Sequence, residues 1–485
     1  MKEYISKIVH YTAGNFFQKI LLLILLPIFT HFLIPEEYAV YANLMIFISF
    51  TSLIYFLGIQ QALFSYFYHK KTAEYHYTLV SSVVITIICV GSLLSLVIII
   101  LRNQISQLIL RTTAYSDILI LVSVILFFDV IFGLVLSILN MLEKSKQYVI
   151  VGNSKHVLFF IVIIVIAILS KITVRNVFLL MTITSGIAVI FALIAISSVM
   201  KQYLREIEKP AFYSFPLMKR LLSFGLIMIP GTLAMMILKV SDRYMLTYLS
   251  AGALYDVGIY AIGYRIGMII TFINSIVSLV YFPYAMRIAE SEGAKRSFKQ
   301  VFNYYVIAGG LLGLFVLLFT PEIFKIFIDP TYAAAISIVV FGVISNYLYG
   351  IFNIVNLSFY IKKRAKNIAF AVSIGAILNI GLNFFLIPRY SIYGAGIASI
   401  IAFAVILIIN FIAAEKVYPV GYNPWIIIFI IIVLGITSFM NFFVEYQLYQ
   451  TFLKIVLILF LLYFFIRYNN RSHIFKNILQ GLRSL

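Results

Sequence analysis

Six basic side chains, Lys19, Lys155, Lys239, Arg243, Arg265 and Lys454, fall inside otherwise apolar stretches, and only two acids, Asp129 and Asp242, fall there with them. A charge at the centre of a bilayer costs about 2.5–3.5 kcal/mol on insertion scales, so each such group needs a partner, a cavity or water. Lys19 sits near the middle of the first stretch, with Asn15 and Gln18 one helical turn or less before it. Asp129 lies deep in the fourth stretch, roughly mid-membrane at about 1.5 Å of rise per residue. Lys239 and Arg243 are spaced to share one helix face, with Asp242 one turn from Lys239. Arg265 enters the next stretch to a depth similar to that of Arg243.

Two chemistries compete for these residues. In the first, Asp242 pairs with Lys239 or Arg265 and locks two helices together. In the second, surplus cations line a wet cavity and hold an anionic headgroup, since Arg and Lys meet phosphate through charge-assisted hydrogen bonds. Lys155 and Lys454 lie near span ends, from which their ammonium groups can snorkel to water. We therefore take Lys19, Arg265, Arg243 and Lys239 as substrate-binding cavity cations, with Asn15, Gln18 and Asn43 as polar lining. For Asp242 the structural pair is preferred. Asp129 either neutralises Lys19 or serves as a proton or cation site, and its position does not separate the two. Asn346, Asn353, Asn356, Asn379 and Asn383 also fall within spans, where an amide is more often an interhelical hydrogen bond than a ligand contact.

These residues are positioned by membrane-spanning helices. The chain has 485 residues, 63% hydrophobic and 11% charged, with a mean hydropathy of +1.07, far more apolar than a water-soluble domain can bury. Apolar runs of bilayer length read as spans near 8–33, 37–64, 78–101, 117–141, 149–170, 177–200 and 221–249. The remainder lie near 256–288, 300–319, 335–361, 367–387, 394–414, 425–443 and 451–467, giving an all-α integral membrane protein of about 14 transmembrane helices. With the N-terminus in the cytoplasm, the inner loops carry 24 Lys and Arg and the outer loops 6. That asymmetry sets the orientation, with both termini cytoplasmic, and accounts for the net charge of +19 without nucleic acid as a partner. The lone Cys89 supports no disulfide framework, and the first apolar stretch is too long for a cleavable signal.

A short repeat suggests how the spans are grouped. Tyr38-Ala39-Val40-Tyr41 follows the turn Pro35-Glu36-Glu37, and Val257-Gly258-Ile259-Tyr260 follows Ala251-Gly252-Ala253 six spans later. The halves then share an orientation and are related by a pseudo-two-fold axis along the membrane normal. We read an N-terminal six-helix bundle at 1–205, a C-terminal six-helix bundle at 213–415, two appended helices at 425–467 and a basic cytoplasmic tail at 468–485.

Four segments carry a family resemblance. They are Leu33-Ile34-Pro35-Glu36-Glu37-Tyr38-Ala39-Val40-Tyr41, Gly58-Ile59-Gln60-Gln61-Ala62-Leu63, Ser241-Asp242-Arg243-Tyr244-Met245-Leu246, and Asn379-Ile380-Gly381-Leu382-Asn383 with the Ile387-Pro388-Arg389 and Tyr393-Gly394-Ala395-Gly396 that follow. Together they resemble the polysaccharide flippases, exporters of O-antigen and teichuronic type, within the multidrug/oligosaccharidyl-lipid/polysaccharide (MOP) exporter superfamily. Ile34 and Ala39 stand where the family's first turn usually has glycine. The resemblance implies a V-shaped pair of bundles, a central cavity and alternating access in a bacterial inner membrane. It implies transport of undecaprenyl-pyrophosphate-linked repeat units for surface polysaccharide biosynthesis, with membrane lipids, a polysaccharide polymerase and a chain-length regulator as candidate partners.

A multidrug exporter of the same superfamily is the first alternative, although cationic drugs would favour acidic lining. A membrane-embedded polysaccharide polymerase is the second, although it would be expected to carry a large outer loop with arginines. No P-loop, metal-protease or kinase pattern is present, so no enzyme, metal or cofactor is expected. Gly263 and Gly267, spaced as G-x-x-x-G, with Gly309, Gly310 and Gly313, read as sites of close helix packing.

Overall fold

The computed structural model describes residues 2–68, 72–204 and 211–443, with a few positions between 452 and 459. The side chain of Asn15, most of the 451–467 span and the 468–485 tail lie outside the described residues. Every regular element among the described residues is helical. Hydrocarbon offers the backbone no hydrogen-bond partner, so a spanning segment must satisfy its amides internally. Among the described residues 10 helices are long and apolar enough to cross a membrane, and two shorter apolar helices cover Phe16–Phe32 and Trp425–Phe439. The protein is a multi-pass integral membrane protein. It divides into two compact units, 13–236, and 237–485 together with 1–12.

The first unit contains α1 (Lys2–Phe32) from residue 13 on, α2 (Pro35–Phe56), α3 (Ile59–Phe67), α4 (Ala73–Ile100) and α5 (Arg102–Leu110). It continues with α6 (Ile118–Met141), α7 (Ser145–Leu169), α8 (Val174–Leu204) and α9 (Phe215–Leu249) as far as residue 236. Pro35 opens α2 with Glu36 and Glu37 in its first turn, where a missing N–H does no harm and the helix dipole favours acids. The expected single helix over 37–64 is instead broken, because Leu57 and Gly58 both adopt left-handed backbone (φ 50° and 67°). The break lets two backbones touch: a Cβ at Gly58 would lie 2.2 Å from the carbonyl oxygen of Gly225 on α9. The core of the unit is α6, whose Leu119, Val122, Ile125 and Leu126 are inaccessible, packed against α4 and α8.

The second unit takes the rest of α9, then α10 (Ala253–Gly267), α11 (Thr271–Ile276), α12 (Phe282–Ile288) and α13 (Ala294–Leu318). It ends with α14 (Thr320–Phe327), α15 (Val339–Val355), α16 (Leu357–Ile361), α17 (Ala365–Val417) and α18 (Trp425–Phe443). The span expected over 256–288 changes winding twice, through a 3-10 turn at Met268–Ile270 and a π turn at Val277–Tyr281. The π turn ends two residues before Pro283, which has no N–H to return to the helix. The span expected over 335–361 begins as a 3-10 helix, Pro330–Ile338, capped by Asp329 accepting from the Thr331 N–H at 3.0 Å. Glycines admit close contact as expected: a Cβ at Gly263 would lie 2.4 Å from the Ala335 carbonyl, and one at Gly267 2.5 Å from the Val343 nitrogen.

α17 is two helical arms joined at Ser391, whose backbone (φ 47°, ψ −124°) is not helical. The chain doubles back there. A Cβ on Gly394 would lie 2.4 Å from the carbonyl oxygen of Leu386, which a straight helix would hold about 12 Å away at about 1.5 Å per residue. Farther down, a Cβ on Gly375 would meet the side chain of Ile406 at 2.1 Å. The two arms are therefore antiparallel, in line with separate spans at 367–387 and 394–414.

Candidate functional site

The buried polar centre of the second unit is built around Asp242, which is only 2% exposed. One carboxylate oxygen accepts from the Tyr260 hydroxyl of α10 at 2.5 Å and from Ser399, on the second arm of α17, at 3.4 Å. The other accepts from the backbone N–H of Arg243 at 2.9 Å. At the preceding residue, the Ser241 hydroxyl donates to Asn379 Oδ1 at 2.8 Å, and Asn383 Nδ2 donates to the same oxygen at 3.0 Å. Both asparagines are inaccessible, and Asn379 Nδ2 and Asn383 Oδ1 have no hydrogen-bond partner. Unpaired buried amides of this kind are costly unless a ligand or water meets them. Four helical segments, α9, α10 and the two arms of α17, thus converge on one oxygen-rich cluster.

The cations of the unit do not pair with that carboxylate. The expected Asp242–Lys239 or Asp242–Arg265 ion pair does not form. Lys239 Nζ instead sits 3.9 Å from the ring centroid of Tyr349 on α15. The Arg243 guanidinium lies 5.8 Å from the Tyr264 ring centroid, with its Nε buried and unpartnered. Neither Lys239 nor Arg243 has a carboxylate oxygen within ion-pair distance among the described residues. Arg265 is half-buried on α10.

In the first unit Asp129 of α6 pairs with Lys155 of α7, so neither the expected neutralisation of Lys19 nor the expected snorkelling of Lys155 occurs. Lys454 likewise pairs with Glu322 of α14 rather than reaching for water. Lys19 is half-buried on α1, and Gln18 donates to the Gly152 carbonyl of α7 at 3.1 Å. Asn43 is inaccessible and donates to the Ile109 carbonyl at 3.3 Å, satisfying one of the carbonyls left free in the last turn of α5. Asn15 lies outside the described side chains. The sequence-selected residues thus split between the units, with Lys19, Gln18, Asn43 and Asp129 in one and Lys239, Asp242, Arg243 and Arg265 in the other.

Sequence reasoning missed Tyr260, Ser399 and Tyr349 as partners of the span charges. Tyr260 had a signal, since it closes the repeated Val257–Tyr260 segment. The Asp129–Lys155 pair had one too. The α6–α7 connection is so short that residues equally far from it face one another, and Asp129 is 12 residues before the end of α6 while Lys155 is 10 after the start of α7. Ser399 and Tyr349 had none, being small or aromatic residues in apolar surroundings.

The same many-helix membrane fold is found among known structures. The chain superposes on a lipid II flippase, MurJ, in an inward closed conformation, with a TM-score of 0.72, 15% identity, and coverage of 95% of this chain and 99% of that one. It also superposes on an inward-facing MATE-family multidrug resistance transporter of the MOP superfamily, with a TM-score of 0.66, 14% identity, and coverage of 87% and 96%. At these identities the likeness establishes the MOP fold alone. An uncharacterized membrane protein of Methanocaldococcus jannaschii is 25% identical over 257 residues, 50% of this chain, and the match spans about half (48%) of that relative's length. The polysaccharide biosynthesis protein family matches residues 5–289, more than half of the sequence, and the chain belongs to that family.

Proposed function

We propose that the protein moves undecaprenyl-pyrophosphate-linked oligosaccharide repeat units from the cytoplasmic to the outer leaflet of a bacterial inner membrane, by alternating access, for surface polysaccharide assembly. The observation that carries this reading is the pair Lys239 and Arg243. Both lie within the membrane-spanning α9, and no carboxylate among the described residues pairs with either. Cationic charge in hydrocarbon is costly; Asp242 offsets part of it at Arg243, and a pyrophosphate cargo adds counter-charge for both cations. Lys19 and Arg265 are assigned to the same task, with Gln18 and Asn15 as polar lining; Asn43, inaccessible and bonded to the Ile109 carbonyl, is not. A cationic drug would find the wrong sign here, which ranks multidrug export second.

Asp242 is assigned to ion coupling. A buried carboxylate held by two hydroxyls suits a proton or a hard cation, which prefers oxygen ligands. The Asp129–Lys155 pair is assigned a structural role. The architecture behind this is fourteen crossings in two related six-helix bundles plus two appended helices. The α17 hairpin counts as two crossings, Phe16–Phe32 and Trp425–Phe439 supply two more, and the apolar sequence at 451–467, mostly outside the described residues, is taken as the last. Both termini then face the cytoplasm, and a polymerase and a chain-length regulator act on the product.

The test is glycan display in a strain lacking the chromosomal copy. Lys239→Ala, Arg243→Ala, Lys19→Ala and Arg265→Ala should each reduce surface polymer while the variant protein still accumulates in the membrane. Full display by all four would refute the cation assignment. Display of single, unpolymerised repeats in the deletion strain would point to polymerisation instead of export.

A further inference from the structure

Three charged residues, Lys239, Asp242 and Arg243, stand within five positions of α9, and each is met by a neutral group from another helix. Lys239 and Asp242 are three residues apart, a spacing at which lysine and aspartate can pair on one helix face. Yet no carboxylate oxygen among the described residues lies within ion-pair distance of Lys239. Asp242 is satisfied by the Tyr260 and Ser399 hydroxyls and a backbone N–H, and acts electrostatically on its neighbour Arg243. The Lys239 ammonium lies over the ring of Tyr349, with Nζ 3.9 Å from its centroid.

That ring is held by the core of the unit. Phe352, one turn on in α15, stacks beside it with centroids 6.1 Å apart. Phe403, on the second arm of α17, meets it edge to face at 6.0 Å. Phe352 and Phe403 are both buried, so packing and not the lysine sets where the ring stands. A ring face and a carboxylate act differently on an ammonium. A carboxylate cancels its charge, whereas a ring attracts it through a quadrupole and leaves the full charge for another anion. A lysine held on a ring can meet a phosphate without first giving up an ion pair.

We infer that Tyr349 is a positioning residue of the cargo site, whose ring holds Lys239 away from Asp242 and keeps its ammonium available to a lipid pyrophosphate. The inference rests on the cargo reading above and adds to it a residue that acts through Lys239.

Two measurements on the purified full chain in detergent test it. The first is a melting cycle of Lys239→Ala and Tyr349→Leu without added lipid, in which the two losses should be non-additive. The second is binding of undecaprenyl pyrophosphate, with undecaprenol as the neutral control. Tyr349→Leu should weaken pyrophosphate binding about tenfold, the order of one desolvated cation–π contact, and leave undecaprenol binding unchanged. Tyr349→Phe keeps the ring face and should bind like wild type. In an Asp242→Asn background Lys239 has no carboxylate to fall back on, and Tyr349→Leu should then change binding by about twofold or less. A tyrosine with only a packing role would cost the same in both backgrounds. If Tyr349→Leu fails to fold by size exclusion, Tyr349→Met takes its place. Equal pyrophosphate binding by wild type and Tyr349→Leu, an undiminished loss in the Asp242→Asn background, or additive melting would overturn the inference. Wild type that shows the melting coupling yet binds pyrophosphate no better than undecaprenol would overturn the cargo reading, and the role of Tyr349 with it.

Discussion

Asp242 on α9 is held by Tyr260 on α10 through a 2.5 Å hydrogen bond, and no cation among the described residues lies within ion-pair distance of it. A carboxylate anchored by a neutral hydroxyl can exchange a proton or cation without breaking a salt bridge first. Tyr260→Phe removes one donor from a buried charge, a loss worth about 1–3 kcal/mol, and should lower the melting temperature in detergent. Asp242→Asn should be tolerated better by the fold, since an amide preserves hydrogen bonds while removing the charge, yet should abolish glycan display. Display at the wild-type level in Asp242→Asn would exclude ion coupling through this residue.

The Asp129–Lys155 pair predicts the opposite separation. Asp129→Asn or Lys155→Met alone strands the remaining charge and should destabilise the first unit by about 1–3 kcal/mol. That lies below the about 3–5 kcal/mol of a fully buried pair, because both side chains keep some exposure. The double variant should recover much of the loss in a melting-based cycle, with export largely preserved. Additive losses would show that the two residues act separately.

Close backbone contact at Gly58 and Gly225 predicts a steric effect that hydropathy would not suggest. Gly225→Ala would place its Cβ 2.6 Å from the Leu57 carbonyl oxygen. It should lower both membrane accumulation and melting temperature. Gly231→Ala, in the same helix but with nothing within 4 Å of the added carbon, should be neutral or stabilise by about 0.4–1 kcal/mol through the unfolded chain. Equal melting of the two variants would contradict the contact.

The turn of α17 separates strain from bonding at one residue. The backbone of Ser391, φ 47° and ψ −124°, matches the first central position of a type II′ turn, where glycine is preferred. Its hydroxyl also bonds to Asp256 and, at 2.9 Å, to Ser250. Ser391→Ala keeps the strain and loses both bonds, whereas Ser391→Gly relieves the strain. The alanine variant should melt below the glycine variant by about 1–2 kcal/mol of stability. The reverse order would mean that the turn is not strained.

What the sequence determined by itself follows from local composition. Apolar runs of bilayer length, the loop charge bias and the presence of Lys239, Asp242 and Arg243 inside one span could all be read along the chain, because the cost of placing each residue in hydrocarbon depends on its own chemistry. The doubling back between 367–387 and 394–414 was legible for the same reason, since Pro388 and the glycines beyond it are local signals. Which side chains meet was not legible. Helix rotation sends Lys239 to Tyr349 rather than to Asp242, and helix register gives Asp129 to Lys155 rather than to Lys19. A rotation of a few tens of degrees leaves hydropathy unchanged and alters every contact, so only tertiary packing could decide the partners.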